Sequence, residues 1–306
     1  MEDRGVIATA DDALRAKRDI ARAGYVEDAY IDLLSSRTER ALVRRHPPLV
    51  RRGYWARTAA TRAIALEFGS RCEKVSDGRF NVVNVGCGYD TFGLWTLDRF
   101  ERARVVELDF ADVIRARSER LREAGVERSE VSYESRACDV RDVSAIDAAI
   151  GGLKEPFDWS LPTLVIAECV LAYLPPGASD AVTKFFGERL NTAVFASYDP
   201  IEPDDAFGRQ MIRNVRARGC AFAGIGDAPS VEGARARFER SGWQRAFAYD
   251  MNAVYARLSA NERERIEKID FLDEYEEWRL ILAHYCISVG VNDAVGALGN
   301  FDLISD

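Results

Sequence analysis

The 306-residue chain has no dense basic segment and no long apolar run. Its net charge is −8 with both signs spread along the sequence, whereas nucleic-acid binding usually depends on clustered Lys and Arg. No stretch of about 18 apolar residues occurs, and the first residues lack the basic and apolar segments of a secretory signal. We therefore expect no nucleic-acid partner, no membrane association and a cytoplasmic location.

Cysteine and histidine are also sparse. The six cysteines lie far apart and form no CxxC pair, and His46 and His284 are the two histidines. A disulfide framework or a zinc site would need clustered cysteines or partner ligands, so we expect buried free thiols and no metal. His284 lies in an apolar C-terminal run, which favours a structural role over a catalytic one.

From residue 80 onward, short β-branched runs alternate with helical patterns. The predicted strands are residues 81–85, 104–108, 130–137, 163–167 and 192–197. Such alternation is typical of a parallel sheet with helices on both faces, which binds its ligand beyond the carboxyl ends of the strands. Later in the chain, residues 261–281 predict one charged helix and residues 284–291 a closing antiparallel strand.

The N-terminal part reads as helical, over residues 10–18, 25–34 and 53–68. Asp11 or Asp12 could cap the first helix, and the Pro47-Pro48 pair separates the second from the third. We expect one domain over residues 1–306, with a helical cap over residues 1–75.

The most informative motif is Gly86-Cys87-Gly88 after an apolar strand, followed by Asp109 at the end of the next apolar run. In nucleotide-binding βαβ units, such a turn brings backbone close to a ligand, and an acid about 20 residues later binds the ribose. Thr91 occupies the position of the third dinucleotide-motif glycine, so S-adenosylmethionine, which has no phosphate, is favoured as cofactor. An ordinary strand-turn-helix remains the alternative.

Asp109, Asp139 and Glu168 end three successive predicted strands. Either Asp139 or Glu168 alone could be a helix cap or a solvated loop acid. Together the three acids provide acceptors for ribose, for the adenine amine, and for the methionyl ammonium or a nearby water.

Between residues 204 and 218 lies an amphipathic segment with Phe207, Met211 and Val215 at helical spacing. Three arginines lie beside them: Arg209, Arg213 and Arg216. A lid that docks a partner and a helix that covers its own core are both consistent with this pattern.

Six segments resemble leucine carboxyl methyltransferase, in order along nearly the whole chain. They are residues 11–18, 52–57, 83–91, 107–110, 164–173 and 207–214. That enzyme methylates the C-terminal leucine of the protein phosphatase 2A catalytic subunit. The resemblance implies a class I S-adenosylmethionine-dependent methyltransferase: a Rossmann-like α/β fold with a seven-stranded, mostly parallel sheet, an N-terminal helical cap and a helical lid insertion at residues 200–230.

The resemblance also implies roles for individual residues. Lys17 and Arg57 reach the methionyl carboxylate, Gly86 forms the turn, Asp109 binds ribose, Asp139 with Val140 binds adenine, and Glu168 is the acid after the fourth strand. We expect Tyr173 or Arg57 to orient the acceptor carboxylate. No general acid or base is expected, because a carboxylate is already ionised.

Other readings remain open. A small-molecule carboxylate O-methyltransferase and a noncatalytic tail-binding protein are the two alternatives. A wybutosine-pathway relative with a kelch-like extension is less favoured, since no repeats of about 50 residues occur. Gly93 departs from the family pattern and is expected to weaken the helix after the turn by up to about 1 kcal/mol.

Overall fold

The computed structural model describes residues 2–36, 45–126, 128–129 and 131–303. Within these ranges the strands are β1 (Phe80–Val85), β2 (Ala103–Asp109), β3 (Tyr133–Ala137), β4 (Thr163–Glu168), β5 (Thr192–Pro200), β6 (Arg245–Asp250) and β7 (Tyr285–Asp293). They form one sheet in the order β3-β2-β1-β4-β5-β7-β6. β7 runs antiparallel to both neighbours, β5 and β6, whereas the pairs from β3 to β5 are parallel.

The α-helices of the described ranges surround this sheet. They are α1 (Glu2–Arg22), α2 (Pro48–Val75), α3 (Phe92–Leu97), α4 (Ala111–Glu123), α5 (Val143–Gly151), α6 (Ala178–Arg189), α7 (Ala206–Ala217), α8 (Val231–Arg240), α9 (Met251–Arg257), α10 (Ala260–Glu267) and α11 (Tyr275–Ala283). No helix among them is both long enough and apolar enough to cross a bilayer.

Alternate residues of the central strands enter two separate cores. Val82 and Leu164 pack with the buried face of α2, whereas Val83 and Val165 pack with α6 and α8. Every residue of β1 and of β5 is buried, as expected for strands covered on both faces. The predicted seven-stranded, mostly parallel sheet is confirmed, including the antiparallel C-terminal strand.

Residues 25–34 form turns rather than the predicted helix. Gly24 adopts a positive φ of 84° just after α1, and the Asp28 carboxylate then accepts hydrogen bonds from the N–H groups of Tyr30 and Ile31, both at 3.0 Å. A side chain that bonds its own following backbone competes with helix formation. The other Asp28 oxygen accepts from Arg62 of α2, which fixes the turn to the cap.

The single charged helix predicted over residues 261–281 is two helices, α10 and α11. The chain leaves the helix between them because Asp270 accepts hydrogen bonds from Arg51 and from the Tyr25 hydroxyl, at 2.9 and 3.1 Å. Leu272 enters the core in the same segment. Of the strand predicted at residues 130–137, residue 130 lies outside the described residues, residues 131–132 form a turn, and β3 begins at Tyr133.

Candidate functional site

The Gly86-Cys87-Gly88 turn lies where β1 ends. Gly86 and Gly88 have positive φ values of 66° and 54°, which only glycine adopts without strain. A Cβ on Gly86 would lie 2.6 Å from a Val170 methyl group. The sequence therefore needs glycine here for close approach of the segment after β4.

Asp109 holds this turn against the end of β2. One carboxylate oxygen accepts from the Gly88 N–H and the other from the Phe110 N–H, each at 2.7 Å. Burial raises the pKa of Asp109 above its usual value, although these two N–H groups oppose the shift. The residue also lines the cavity described below, so its carboxylate lies beside the space for a ligand.

Behind the turn lies a fully buried ion pair that the sequence did not reveal. Arg117 of α4 contacts both carboxylate oxygens of Glu107, with Nε 2.6 Å from Oε2 and Nη2 2.9 Å from Oε1. The Tyr133 hydroxyl donates to Glu107 Oε2 at 2.5 Å. A Cβ on Gly93 would lie 2.6 Å from Glu107 Oε1. Gly93 thus allows α3 to pack on this carboxylate, which offsets its poor helix propensity.

Lys17, Arg57 and Glu168 form a buried charge cluster that joins the helical cap to β4. Lys17 Nζ lies 2.7 Å from Glu168 Oε1 and 3.1 Å from Asp90 Oδ2, and the Arg57 guanidinium donates to the same Glu168 oxygen. Burial on its own would raise the pKa of Glu168, but Arg57 and Lys17 hold it well below the usual range. Glu168 is therefore a carboxylate at neutral pH. Its second oxygen, Oε2, is buried and has no hydrogen-bond partner among the described residues.

Asp139 and Val140 follow β3 but differ in placement. Val140 is buried and lines the cavity. The Asp139 carboxylate accepts from the Arg141 side chain at 2.6 to 3.0 Å, and this hydrogen bonding lowers its pKa. Arg141 rather than Asp139 lines the cavity, so the adenine role of Asp139 stays a prediction.

Tyrosine side chains also line the cavity, among them Tyr173, Tyr198 and Tyr285. Tyr173 ends a 3₁₀ turn (Leu171–Tyr173), and its ring centroid lies 4.9 Å from that of Phe222. The Arg57 guanidinium lies 4.8 Å from the centre of the Tyr198 ring, which stacks on Tyr285. Sequence reasoning missed Tyr198 and Tyr285, because they come from strands distant in sequence and follow no motif. Burial raises the pKa of Tyr173, so its hydroxyl remains a proton donor.

These groups meet around one cavity of about 360 Å³, the central cavity. It lies at the carboxyl ends of β1, β2 and β4, and α1, α2 and the 200–230 insertion complete its walls. Of the eight site residues that the resemblance implies, all but Asp139 line it: Lys17, Arg57, Gly86, Asp109, Val140, Glu168 and Tyr173. The volume is in the range of small-molecule and cofactor sites. No group of three or more potential metal ligands occurs among the described residues.

The helix of the insertion, α7, has one face directed toward the protein and one face exposed to solvent. Met211 is buried and Val215 lines the central cavity, whereas its arginines face solvent: Arg209, Arg213 and Arg216. Asp205 caps the helix through the Gly208 N–H at 2.7 Å and also contacts His284 Nε2 at 3.0 Å. His284 thus ties the insertion to the end of α11. The arrangement is consistent both with a helix that covers its own core and with a lid that docks a partner.

Known proteins similar to this chain include several leucine carboxyl methyltransferases. A family model described as leucine carboxyl methyltransferase matches residues 5–187. The leucine carboxyl methyltransferase 1 homolog of Arabidopsis thaliana is 37% identical over 97% of this chain and 92% of its own length. Leucine carboxyl methyltransferase 1 of Bos taurus is 32% identical over 94% of this chain and 89% of its own. The human tRNA wybutosine-synthesizing protein 4 is 34% identical over 91% of this chain, which spans 43% of that longer protein.

Solved structures share the fold at low identity. A Thermobifida fusca protein assigned as a methyltransferase superposes with a TM-score of 0.55 at 15% identity, over 87% of this chain and 93% of that one. A DUF574-family protein from Streptomyces avermitilis gives 0.56 at 12% identity, over 80% and 86%. The fold is that of class I S-adenosylmethionine-dependent methyltransferases. The chain belongs to the leucine carboxyl methyltransferase family.

Proposed function

We propose that this protein transfers a methyl group from S-adenosylmethionine to the α-carboxylate of a C-terminal leucine on the protein phosphatase 2A catalytic subunit, in the cytoplasm. The observation that carries the proposal is the buried cluster of Lys17, Arg57 and Glu168 in the wall of the central cavity. An amino-acid zwitterion is complementary to it. The two cations suit a carboxylate, and the unpartnered Glu168 Oε2 suits an ammonium group.

The remaining lining residues fit the rest of that cofactor. Asp109 is oriented by two backbone N–H groups and is available to ribose hydroxyls, and Val140 offers an apolar surface to adenine. The prediction that Asp139 binds the adenine amine would require its carboxylate to leave Arg141 or to share its hydrogen bonds. When bound, the cofactor supplies an electrophilic methyl group on a sulfonium.

The chain itself then has to bind, orient and desolvate the acceptor. A carboxylate needs no proton removed, so no general base is required. Tyr173 can donate a hydrogen bond to the acceptor carboxylate, and Arg57, which faces the Tyr198 ring, can offer a second donor. The aromatic wall excludes water from the nucleophile, and fixed donors limit its approach to a productive direction.

The choice of a protein acceptor rests on family membership and on the exposed face of α7. A flexible tail loses conformational freedom when it enters the cavity, which reduces affinity. A folded partner that also contacts Arg209, Arg213 and Arg216 spreads binding over a larger surface. We therefore expect the phosphatase core to be a better substrate than a short peptide copied from its C-terminus.

The test uses labelled S-adenosylmethionine and three acceptors in parallel reactions: the phosphatase 2A core, the same core without its terminal leucine, and a mixture of free carboxylic acids. Base-labile label on the intact core alone supports the proposal, because carboxyl methyl esters hydrolyse in base. Label on the free acids but not on the core would favour the small-molecule reading.

Two further observations complete the test. Calorimetric donor binding without any turnover would indicate a noncatalytic tail-binding protein. A fourth reaction contains tRNA, because one relative is named for tRNA wybutosine synthesis. Label on tRNA and none on the phosphatase would move the acceptor to that class.

A further inference from the structure

The 3₁₀ turn that carries Tyr173 is held from two sides through one backbone unit. The Ala172 N–H donates to Asp199 Oδ1 of β5 at 3.1 Å. The Ala172 carbonyl accepts from the Gly224 N–H at 3.0 Å. Gly224 belongs to the 200–230 insertion, two residues after Phe222, whose ring packs on Tyr173. Ala172 therefore joins the sheet to the insertion immediately before a residue of the central cavity.

A purely structural hydrogen bond does not require a buried carboxylate such as Asp199, because burying a charged group has a high desolvation cost. Asp199 is 5% exposed, and its nearest described cation, Arg237 of α8, keeps Nη1 3.9 Å from Oδ2. Arg57, Cys169 and Cys286 also face it, and burial raises its pKa to about 6 against the opposing effect of Arg237. A neutral side chain would accept the same hydrogen bond at a lower desolvation cost.

We propose that Asp199 is a positioning residue for Tyr173, acting through the backbone of Ala172, and that Gly224 transmits the position of the insertion to the same unit. The proposal rests on the proposed function, in which Tyr173 contacts the acceptor carboxylate. Asp199 itself does not touch the acceptor. Loss of the Asp199 carboxylate changes where the Tyr173 hydroxyl lies. It therefore lowers methylation of the methyl acceptor and leaves binding of the methyl donor unchanged.

Gly224 gives an independent way to perturb the same unit. A Cβ on Gly224 would lie 2.5 Å from the Leu174 carbonyl oxygen, so Gly224→Ala forces the insertion away from the 3₁₀ turn. Its φ is −99°, so alanine causes no backbone strain of its own. The variant therefore tests the contact and leaves the buried carboxylate in place.

The experiment compares four variants of the full chain, with the phosphatase core as acceptor. Asp199→Ala removes the side-chain oxygen that accepts the hydrogen bond from the Ala172 N–H, whereas Asp199→Asn keeps an oxygen that can accept it. Asp180→Ala is the matched control, because Asp180 also faces Arg237, at 3.7 Å, but does not contact Ala172. We expect kcat/KM for the acceptor to fall about tenfold in Asp199→Ala and in Gly224→Ala, the loss of one buried hydrogen bond. Asp199→Asn and Asp180→Ala should stay within about threefold of wild type, and the donor Kd should stay within about twofold in all four.

Hydrogen exchange over residues 169–175 provides a readout that does not depend on turnover. The Ala172 amide should lose protection in Asp199→Ala and keep it in Asp199→Asn and Asp180→Ala. Equal acceptor kinetics in wild type, Asp199→Ala and Gly224→Ala would overturn the positioning role while leaving the proposed function intact. Equal losses of kcat/KM in Asp199→Asn and Asp199→Ala would also overturn it, because the side-chain oxygen retained in asparagine should preserve the hydrogen bond to Ala172 and with it the activity. A wild-type protein that binds donor and methylates nothing would instead refute the proposed function.

Discussion

Replacing Glu168 by glutamine should destabilise the protein, because it removes a carboxylate that faces both Lys17 and Arg57. The three side chains are 6%, 9% and 12% exposed, so solvent screens the cluster weakly. Removing one partner of a buried ion pair usually costs about 3–5 kcal/mol. Asp90 still lies 3.1 Å from Lys17 Nζ in the variant, so we expect the lower end, about 3 kcal/mol, in the free energy of unfolding.

The pH dependence of this loss follows from the pKa of Glu168, which the two cations lower in the folded state. A lowered folded-state pKa stabilises the protein above the unfolded-state value of about 4.3, and this stabilisation is lost as the pH falls through the folded-state value. Wild type and Glu168→Gln should therefore differ fully at pH 7, begin to converge below about pH 4 and meet near pH 2.

Urea unfolding of both proteins between pH 7 and pH 3 measures this difference. Glu188→Gln on α6 is the matched control, since its pair with Lys184 is 59% and 61% exposed and is worth about 0.5 kcal/mol or less. A Glu168→Gln protein as stable as wild type at pH 7 would show that the cluster is not a net stabilising pair. A difference that does not shrink at low pH would show that lost packing, not charge, is responsible.

Four shorter predictions concern other residues. Asp109→Ala should weaken donor binding by about 2–3 kcal/mol, and unchanged calorimetric affinity in a folded variant would remove Asp109 from the site. Arg57→Lys keeps the charge but loses planar, two-pronged donation, so methyl transfer should fall steeply while circular dichroism stays native; wild-type turnover would contradict this. Because burial raises the pKa of Asp199 to about 6, the free energy of unfolding of wild type should fall by about 3 kcal/mol relative to Asp199→Asn as the pH rises from 4 to 6, and parallel urea-unfolding profiles of the two proteins would refute that shift. Replacing Arg209, Arg213 and Arg216 together with alanine should raise the KM for the phosphatase more than the Kd for the methyl donor. Equal effects on both constants would show that α7 does not dock the phosphatase.

The sequence predicted those parts of the molecule that local pattern determines. The central strands are continuous apolar runs bounded by turns, so β1, β2, β4 and β5 were found within a few residues. Gly86 and Asp109 follow from strand ends and a known βαβ geometry. Lys17 and Arg57 are ordinary helix charges by pattern, and only family resemblance indicated that they reach the cofactor site. Their pairing with Glu168 was not predicted.

Long-range contacts account for what pattern did not predict. Among the described strands β6 is half-exposed and pairs with β7 alone, at the sheet edge, so its sequence carries little strand signal. The turns around Asp28 depend on Arg62, and the break before Leu272 depends on Arg51. Arg117 reads as a solvated helix charge until the fold places it against Glu107, because ion pairing of this kind depends on elements that meet only in three dimensions.

Because α1 forms part of the cavity wall, binding at the site should also affect how tightly the amino-terminal helix is docked. Eight residues of α1 line the central cavity, and Lys17 is its ionic link to β4. A ligand that contacts this wall stabilises the docked helix by RT ln(1 + [L]/Kd), or about 2.7 kcal/mol at a hundredfold excess over Kd. Protease cleavage near Gly24 should slow in proportion, so limited proteolysis reports donor concentration in a sample where no acceptor is present.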